Sequence, residues 1–368
     1  MSATNARLKS RLGIALIAVA LAVLPFVVGA GFGNSWVRII DFALLYIMLA
    51  LGLNIVVGFA GLLDLGYIAF YAVGAYLYAL LSSPHLAQAF PALFAAAPGW
   101  PVWLVLPLGA GLAGLCGVLL GTPTLKLRGD YLAIVTLGFG EIIRIFLNNL
   151  NAPANITNGP QGINNIAAVH IGGHALNRPL ELFGIVLPGV HLHYYFFLAL
   201  TLLVIFVCVR LQDSRLGRAW VAIREDEVAA RACGINTRNV KLLAFGLGAT
   251  FGGVAGGLFA SFQGFVSPES FGLLESIMVL CMVVLGGMGH IPGVILGAVL
   301  LALLPEALRW GAVPMQQSLF GKVLIDPESL RLLLFGVALV LVMRWRPEGL
   351  WPSALRRREL STHAADGA

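Results

Sequence analysis

The 368-residue chain is 59% hydrophobic and only 11% charged, against roughly a quarter charged in a soluble domain. That balance excludes a soluble globular protein, and the repeated long apolar runs favour membrane-spanning helices over a β-barrel. The formal net charge of +6 is no nucleic-acid signal, because the Lys and Arg residues sit in loops and tails, where they set membrane topology.

Taken in chain order, Arg7, Lys9 and Arg11 precede an apolar run from Leu12 to Gly33. The run is longer than the about 7–15 residues of a signal-peptide core, so it reads as an uncleaved first span. Spans are predicted at about 12–31, 38–58, 63–82, 102–121, 131–149, 194–211, 242–262, 271–288, 291–308 and 330–345. The expected fold is thus an all-α polytopic membrane protein with about ten transmembrane helices. The third span and the pair at 271–308 are expected to be short, broken or re-entrant. Gly286, Gly287, Gly289, Pro292 and Gly293 interrupt that pair, and such breaks survive only where protein or a water-filled cavity covers the backbone.

Seventeen of the 23 Lys and Arg residues fall on one side if both termini share it, which predicts cytoplasmic termini. Residues 1–368 then form one transmembrane domain containing two special segments. The first, 150–193, is rich in Asn, Gly, Pro and His and is expected to fold as a small external cap. Its His170, His174, His191 and His193 lack nearby Cys or carboxylate clusters, so they read as polar surface, not a metal site. The second, 213–241, is a polar island within apolar sequence. Cys116, Cys208, Cys233 and Cys281 have neither zinc spacing nor a disulfide context.

No G-x-x-x-x-G-K-[ST] loop is present, and the Gly-rich pieces at 246–253 and 286–293 follow no strand, so neither nucleotide nor cofactor binding is expected in this chain. No paired catalytic carboxylates or nucleophile elbow appear, and an enzyme is not expected. Ionisable residues inside spans are functional candidates by default. Glu141 and Arg144 lie three apart on one helix face. They read either as a mutually neutralised pair that fixes helix rotation or as a border of a translocation path. Asn54 and Tyr67 fit such a path or interhelical hydrogen bonding equally well. The stripes Gly109/Ala113/Gly117, Gly248/Gly252/Gly256 and Gly293/Gly297 suit close helix packing.

In the polar island, Glu225, Asp226 and Glu227 suit the first turn of a short helix, where the dipole favours anions. Arg231 suits its last turn and Gly234 a left-handed stop. Thr237 is expected to cap the next helix. The island reads as a cytoplasmic helix-turn element that docks on another protein; the alternative is a charged loop at the lipid headgroups.

Several stretches together resemble the inner-membrane permeases of ABC importers for branched-chain amino acids, specifically the LivM-type subunit. They are Gly52–Leu77, Leu127–Ile145, Asn158–Ile163, Leu216–Ile235, Gln263–Phe271 and Val283–Ala298, with Arg346–Pro352 similar to the family's ending. Glu227-Val228-Ala229-Ala230 followed by Gly234 resembles the family's E-A-A…G coupling motif. The resemblance implies that Arg218, Arg224, Glu225, Asp226, Glu227, Ala230 and Gly234 serve ATPase coupling. It implies a second homologous permease subunit, two cytoplasmic ATPase subunits that bind ATP and Mg, a periplasmic solute-binding protein, and a bacterial inner membrane as lipid environment. The implied solutes are branched-chain or similar small amino acids; relatives of this type also carry urea, short amides or other amino acids. Asp64 and Asn158 depart from the pattern, which usually has an apolar or small residue and a Gly there.

Overall fold

The computed structural model describes residues 3–91, 100–125, 127, 129–182, 185–320, 327–345 and 349–351. Apolar sequence in lipid must pair its own backbone groups, and helices do so within one segment. The elements are α1 (Ala3–Phe32), α2 (Asn34–Asn54), a π-helical turn (Ile55–Phe59), α3 (Ile68–Ser82), α4 (His85–Ala89), α5 (Val102–Thr124) and α6 (Asp130–Asn149). A 3-10 turn (Gly159–Gln161) and two antiparallel hairpins follow: β1 (His170–Ile171) with β2 (His174–Ala175), and β3 (Leu180–Leu182) with β4 (Ile185–Leu187). Then come α7 (Gly189–Gln212), α8 (Arg215–Glu225), α9 (Glu227–Ala232), α10 (Thr237–Gln263), a 3-10 turn (Pro268–Phe271), α11 (Leu273–Gly286), α12 (Ile291–Phe320) and α13 (Pro327–Trp345).

Among the described residues, six stretches are long and apolar enough to cross a membrane: Asn34–Phe59, Val102–Thr124, Gly189–Gln212, Thr237–Gln263, Pro268–Gly286 and Ile291–Gln316. Shorter apolar helical stretches occupy Ala18–Phe32, Ile68–Ser82 and Leu332–Val342. The chain is a multi-pass membrane protein. α6 has the length of a span but contains Asp130, Glu141 and Arg144. Lys126, Arg128, Lys322 and the tail beyond 351, which entered the topology count, lie outside the described residues.

The third predicted span, 63–82, is corrected. Only Ile68–Ser82 is helical, and residues 60–67 pack as non-helical chain between helices. Its backbone is paired largely by side chains, as buried polar groups outside helices and sheets require. Leu65 N–H donates to Thr136 Oγ1 at 3.0 Å, Gly66 N–H to Asp64 Oδ1 at 2.9 Å, and the Ser276 hydroxyl to the Leu65 carbonyl. Asp64 is 2% exposed. Its side chain stands in for a missing turn at the entry to α3, which an apolar residue in its place cannot do.

The core is built on α10, which packs most extensively against α5 and α3. Their backbones touch: a Cβ on Gly74 would strike the Gly253 carbonyl, and one on Gly256 the Tyr71 carbonyl. The small-residue stripes therefore serve contacts inside this chain, and Gly286 and Gly293 do the same between α11 and α12. α2 lies nearly buried, with Met48, Leu49, Ala50, Leu51 and Leu53 at 0% exposure.

One end of the bundle carries β1–β4. Ile163 pairs with Val266, and Val169 N–H donates to Ser261 Oγ at 2.9 Å, which ties this layer to the end of α10. Asn158 adopts φ 61, a left-handed conformation that Asn tolerates and Gly adopts freely. The expected cap is shorter than 150–193, because α7 begins at Gly189. His191 and His193 are thus helical and buried. His191 Nε2 lies 3.1 Å from the Pro25 carbonyl and His193 Nδ1 2.9 Å from that of Gly189. Among the described residues no group of three or more His, Cys, Asp or Glu is placed to hold a metal.

Candidate functional site

The opposite end carries the polar island as two helices, not one. Ser214 caps α8 by accepting from Gly217 N–H at 3.2 Å. Asp226 is the N-cap of α9, with Oδ1 accepting from Val228 N–H at 2.7 Å and Ala229 N–H at 3.0 Å. A carboxylate there satisfies two otherwise unpaired donors and meets the positive end of the helix. Gly234 follows at φ 84. Two expectations are corrected. Glu225 ends α8 and does not open α9, and Asn236, not Thr237, caps α10 by accepting from Asn239 N–H at 3.2 Å. Asn236 lies just ahead of the helical backbone, where a cap must stand.

The base of this element is fixed to the bundle. Trp220 is fully buried and its Nε1–H donates to the Val240 carbonyl at 2.8 Å. Glu227 bridges Lys241 at 2.7 Å and Arg231 at 3.2 Å. Arg218 Nη1 donates to the Asp213 carbonyl at 2.9 Å, within its own turn. Arg224 points inward, donating from Nη1 to the Gly58 carbonyl at 2.8 Å and pairing through Nη2 with Glu225 at 3.2 Å. Ala230 is 4% exposed and faces its own chain, whereas Val228 is 71% exposed. The free surface is therefore Glu225, Asp226, Val228, Ala229 and the turn through Gly234. Val228 was missed in the sequence because capping residues locate a helix without fixing which side faces out.

The four residues considered for a path do not form one site. Asn54 is 1% exposed, and its Oδ1 accepts from Gly289 N–H at 2.8 Å. Tyr67 is fully buried and its hydroxyl donates to the Gly248 carbonyl at 2.9 Å. Both hydrogen-bond to the backbone of a distant segment, Asn54 to the α11–α12 link and Tyr67 to α10. Glu141 and Arg144 do meet, at 2.9 Å, and Arg144 also reaches Glu269 at 3.3 Å. Glu269, in the turn Pro268–Phe271, went unnoticed because nothing in its spacing ties it to α6. Arg144 and Glu141 keep about a quarter to a third of their side-chain surface exposed (26% and 32%), so this trio borders an accessible face.

A helical bundle with a non-helical segment inside it, a hairpin layer at one end and a capped two-helix element at the other defines a multi-pass helical membrane protein. The chain matches the family model described as the permease component of the branched-chain amino acid transport system over residues 35–343, and it belongs to that family. It is 43% identical over 366 residues to the high-affinity branched-chain amino acid transport system permease protein LivM of Escherichia coli, covering 96% of this chain and 77% of that one. It is 27% identical over 333 residues to the probable branched-chain amino acid transport permease protein LivM of Methanocaldococcus jannaschii, covering 84% and 90%. A shorter match, 40% over 112 residues, joins it to the permease protein LivH of Escherichia coli, covering 30% and 34%. No solved structure matches.

Proposed function

We propose that this chain is one of two related permease subunits of an ABC importer that moves branched-chain amino acids into a bacterial cytoplasm. It crosses the inner membrane about ten times, with both termini and the α8–α9 element in the cytoplasm. The hairpin end faces the periplasm and receives a solute-binding protein. ATP and Mg are bound by two partner ATPase subunits, and α9 is the surface on which one of them sits. The similarity to LivH accords with a homologous second permease. The accessible Glu141–Arg144–Glu269 trio suits the border of a path for a zwitterionic solute, since it offers both signs of charge within 3.3 Å contacts.

The observation that carries this reading is the build of α9: a short helix, capped by Asp226, clamped at its base through Glu227 and Lys241, with Val228 projecting. An apolar side chain held outward on a fixed base is suited to a cleft in a protein partner. In proteoliposomes holding the whole importer, a crosslinker on Val228→Cys is expected to capture an ATPase subunit in high yield. Capture of lipid alone would reject the docking reading in favour of a headgroup-bound loop.

A further inference from the structure

Arg224 was expected at the ATPase surface, yet it is turned into the membrane body. Its guanidinium donates to the Gly58 carbonyl at 2.8 Å, inside the π-helical turn that ends α2. π-helical turns store a register defect in the hydrogen-bond ladder and recur at functional sites. The stem of Arg224 covers Gly61, which sits at φ 69; a Cβ there would come 2.5 Å from Arg224 Cγ. A third element meets the same side chain. A Cβ on Gly289, in the link between α11 and α12, would lie 3.3 Å from Arg224 Nη1 and 3.2 Å from the Gly58 carbonyl. Gly289 N–H in turn donates to Oδ1 of Asn54, the residue immediately before the π-helical stretch, at 2.8 Å. One arginine therefore meets three interruptions of regular helix: the π-turn, the start of the non-helical 60–67 segment and the α11–α12 link.

The other end of that lever is equally defined. Arg224 lies four residues after Trp220, on the buried face of α8, and two residues before the Asp226 cap of α9. A displacement of α9 reaches α10 directly through Glu227 and Lys241, and it reaches the π-helical turn and the α11–α12 link through Arg224. A cleft of about 320 Å³ beside it, lined by Val57, Leu63 and Met288 among others, leaves room for the contact to shift.

We propose that Arg224 is the positioning residue that transmits movement of the α8–α9 element to the interrupted helices, by holding the Gly58 carbonyl against the Gly289 link. This rests on the reading that α9 receives an ATPase, and deepens it. Removing the contact leaves the docking surface in place and separates hydrolysis from transport. Mutations along a coupling route change coupling by about 0.5–2 kcal/mol, roughly two- to thirtyfold.

The test uses the complete importer in proteoliposomes with labelled leucine, reading solute moved per ATP hydrolysed. Arg224→Ala is expected to lower that ratio about fivefold or more, while the crosslink from Val228→Cys to the ATPase stays at its parental yield. Arg224→Lys, which keeps a donor for the Gly58 carbonyl, is expected to recover a large part of the ratio. A parental ratio in Arg224→Ala with the crosslink retained would overturn the proposal. Absence of the crosslink from Val228→Cys in the chain that keeps Arg224 would instead strike the docking reading. Where Arg224→Ala fails to assemble, Gly61→Ala carries the test, since its methyl displaces the Arg224 stem; a parental ratio there overturns the proposal equally.

Discussion

The seam between α10 and its neighbours α3 and α5 and the cluster around Arg224 are both rich in glycine, and they use it for opposite ends. In the seam, glycines sit inside regular helices and let backbones touch, so that Gly74 meets the Gly253 carbonyl and Gly256 the Tyr71 carbonyl. Around Arg224, glycines stand where the helix stops: Gly61 at φ 69 and Gly289 at φ 78. The seam gains dispersion contacts over a long interface and leaves no room to slide. The cluster is held by a few hydrogen bonds among non-helical segments. On the coupling role proposed for Arg224, the seam is the rigid body and the cluster is where it is moved.

The largest effect that separates the two is expected from Gly256→Val. Its side chain has no exit between α10 and the Tyr71 carbonyl, and overpacking against backbone exceeds the usual about 1–3 kcal/mol. The variant is expected to yield almost no monodisperse protein after extraction from membranes. Normal yield and Tm would mean that the seam is looser than the contacts imply. Gly289→Ala comes next. An L-residue in the left-handed region costs about 1–2 kcal/mol, so the chain is expected to reach the membrane in near-parental amounts. Its leucine transport per ATP hydrolysed is expected to fall, because the strain sits on the link that Arg224 holds. A variant that instead failed to accumulate would place Gly289 with the seam.

The rigid body was more legible in the sequence than the movable part. Apolar run length sets the positions of α2, α5, α7 and α10 directly, since lipid leaves the backbone no alternative. Spacing of small residues four apart marked the seam for the same reason. The non-helical entry to α3 was harder. Gly61 and Gly66 hinted at it, but its stability comes from Thr136 and Ser276, 71 and 211 residues away in sequence from Leu65. The inward turn of Arg224 did have a signal. Gly217, Trp220 and Ile223 form a buried stripe at helical spacing, and Arg224 follows Trp220 by one turn on that side. The charge of Arg224 hid it, because a charged residue in a polar loop reads as surface. Ala230 erred the other way: the motif it resembles drew it to the docking surface, while its small size suits the packed side of α9.

The smallest effect concerns the element that drives the cluster. Asp226→Ala removes the acceptor for Val228 and Ala229 N–H, a loss of about 1 kcal/mol for an N-cap. That is too little to unfold the bundle, whose contacts do not include Asp226. It is enough to fray a helix of six residues (Glu227–Ala232), because so short a helix has no cooperative reserve. Trypsin is then expected to cut after Arg231 several times faster in proteoliposomes, with Tm unchanged within error. Asp226→Asn, which keeps the accepting oxygen, is expected to cut at close to the parental rate. Equal cleavage of the Ala variant and the parent would show that Glu227 and Lys241 alone hold α9, and that its rigidity as a lever comes from the clamp and not from the cap.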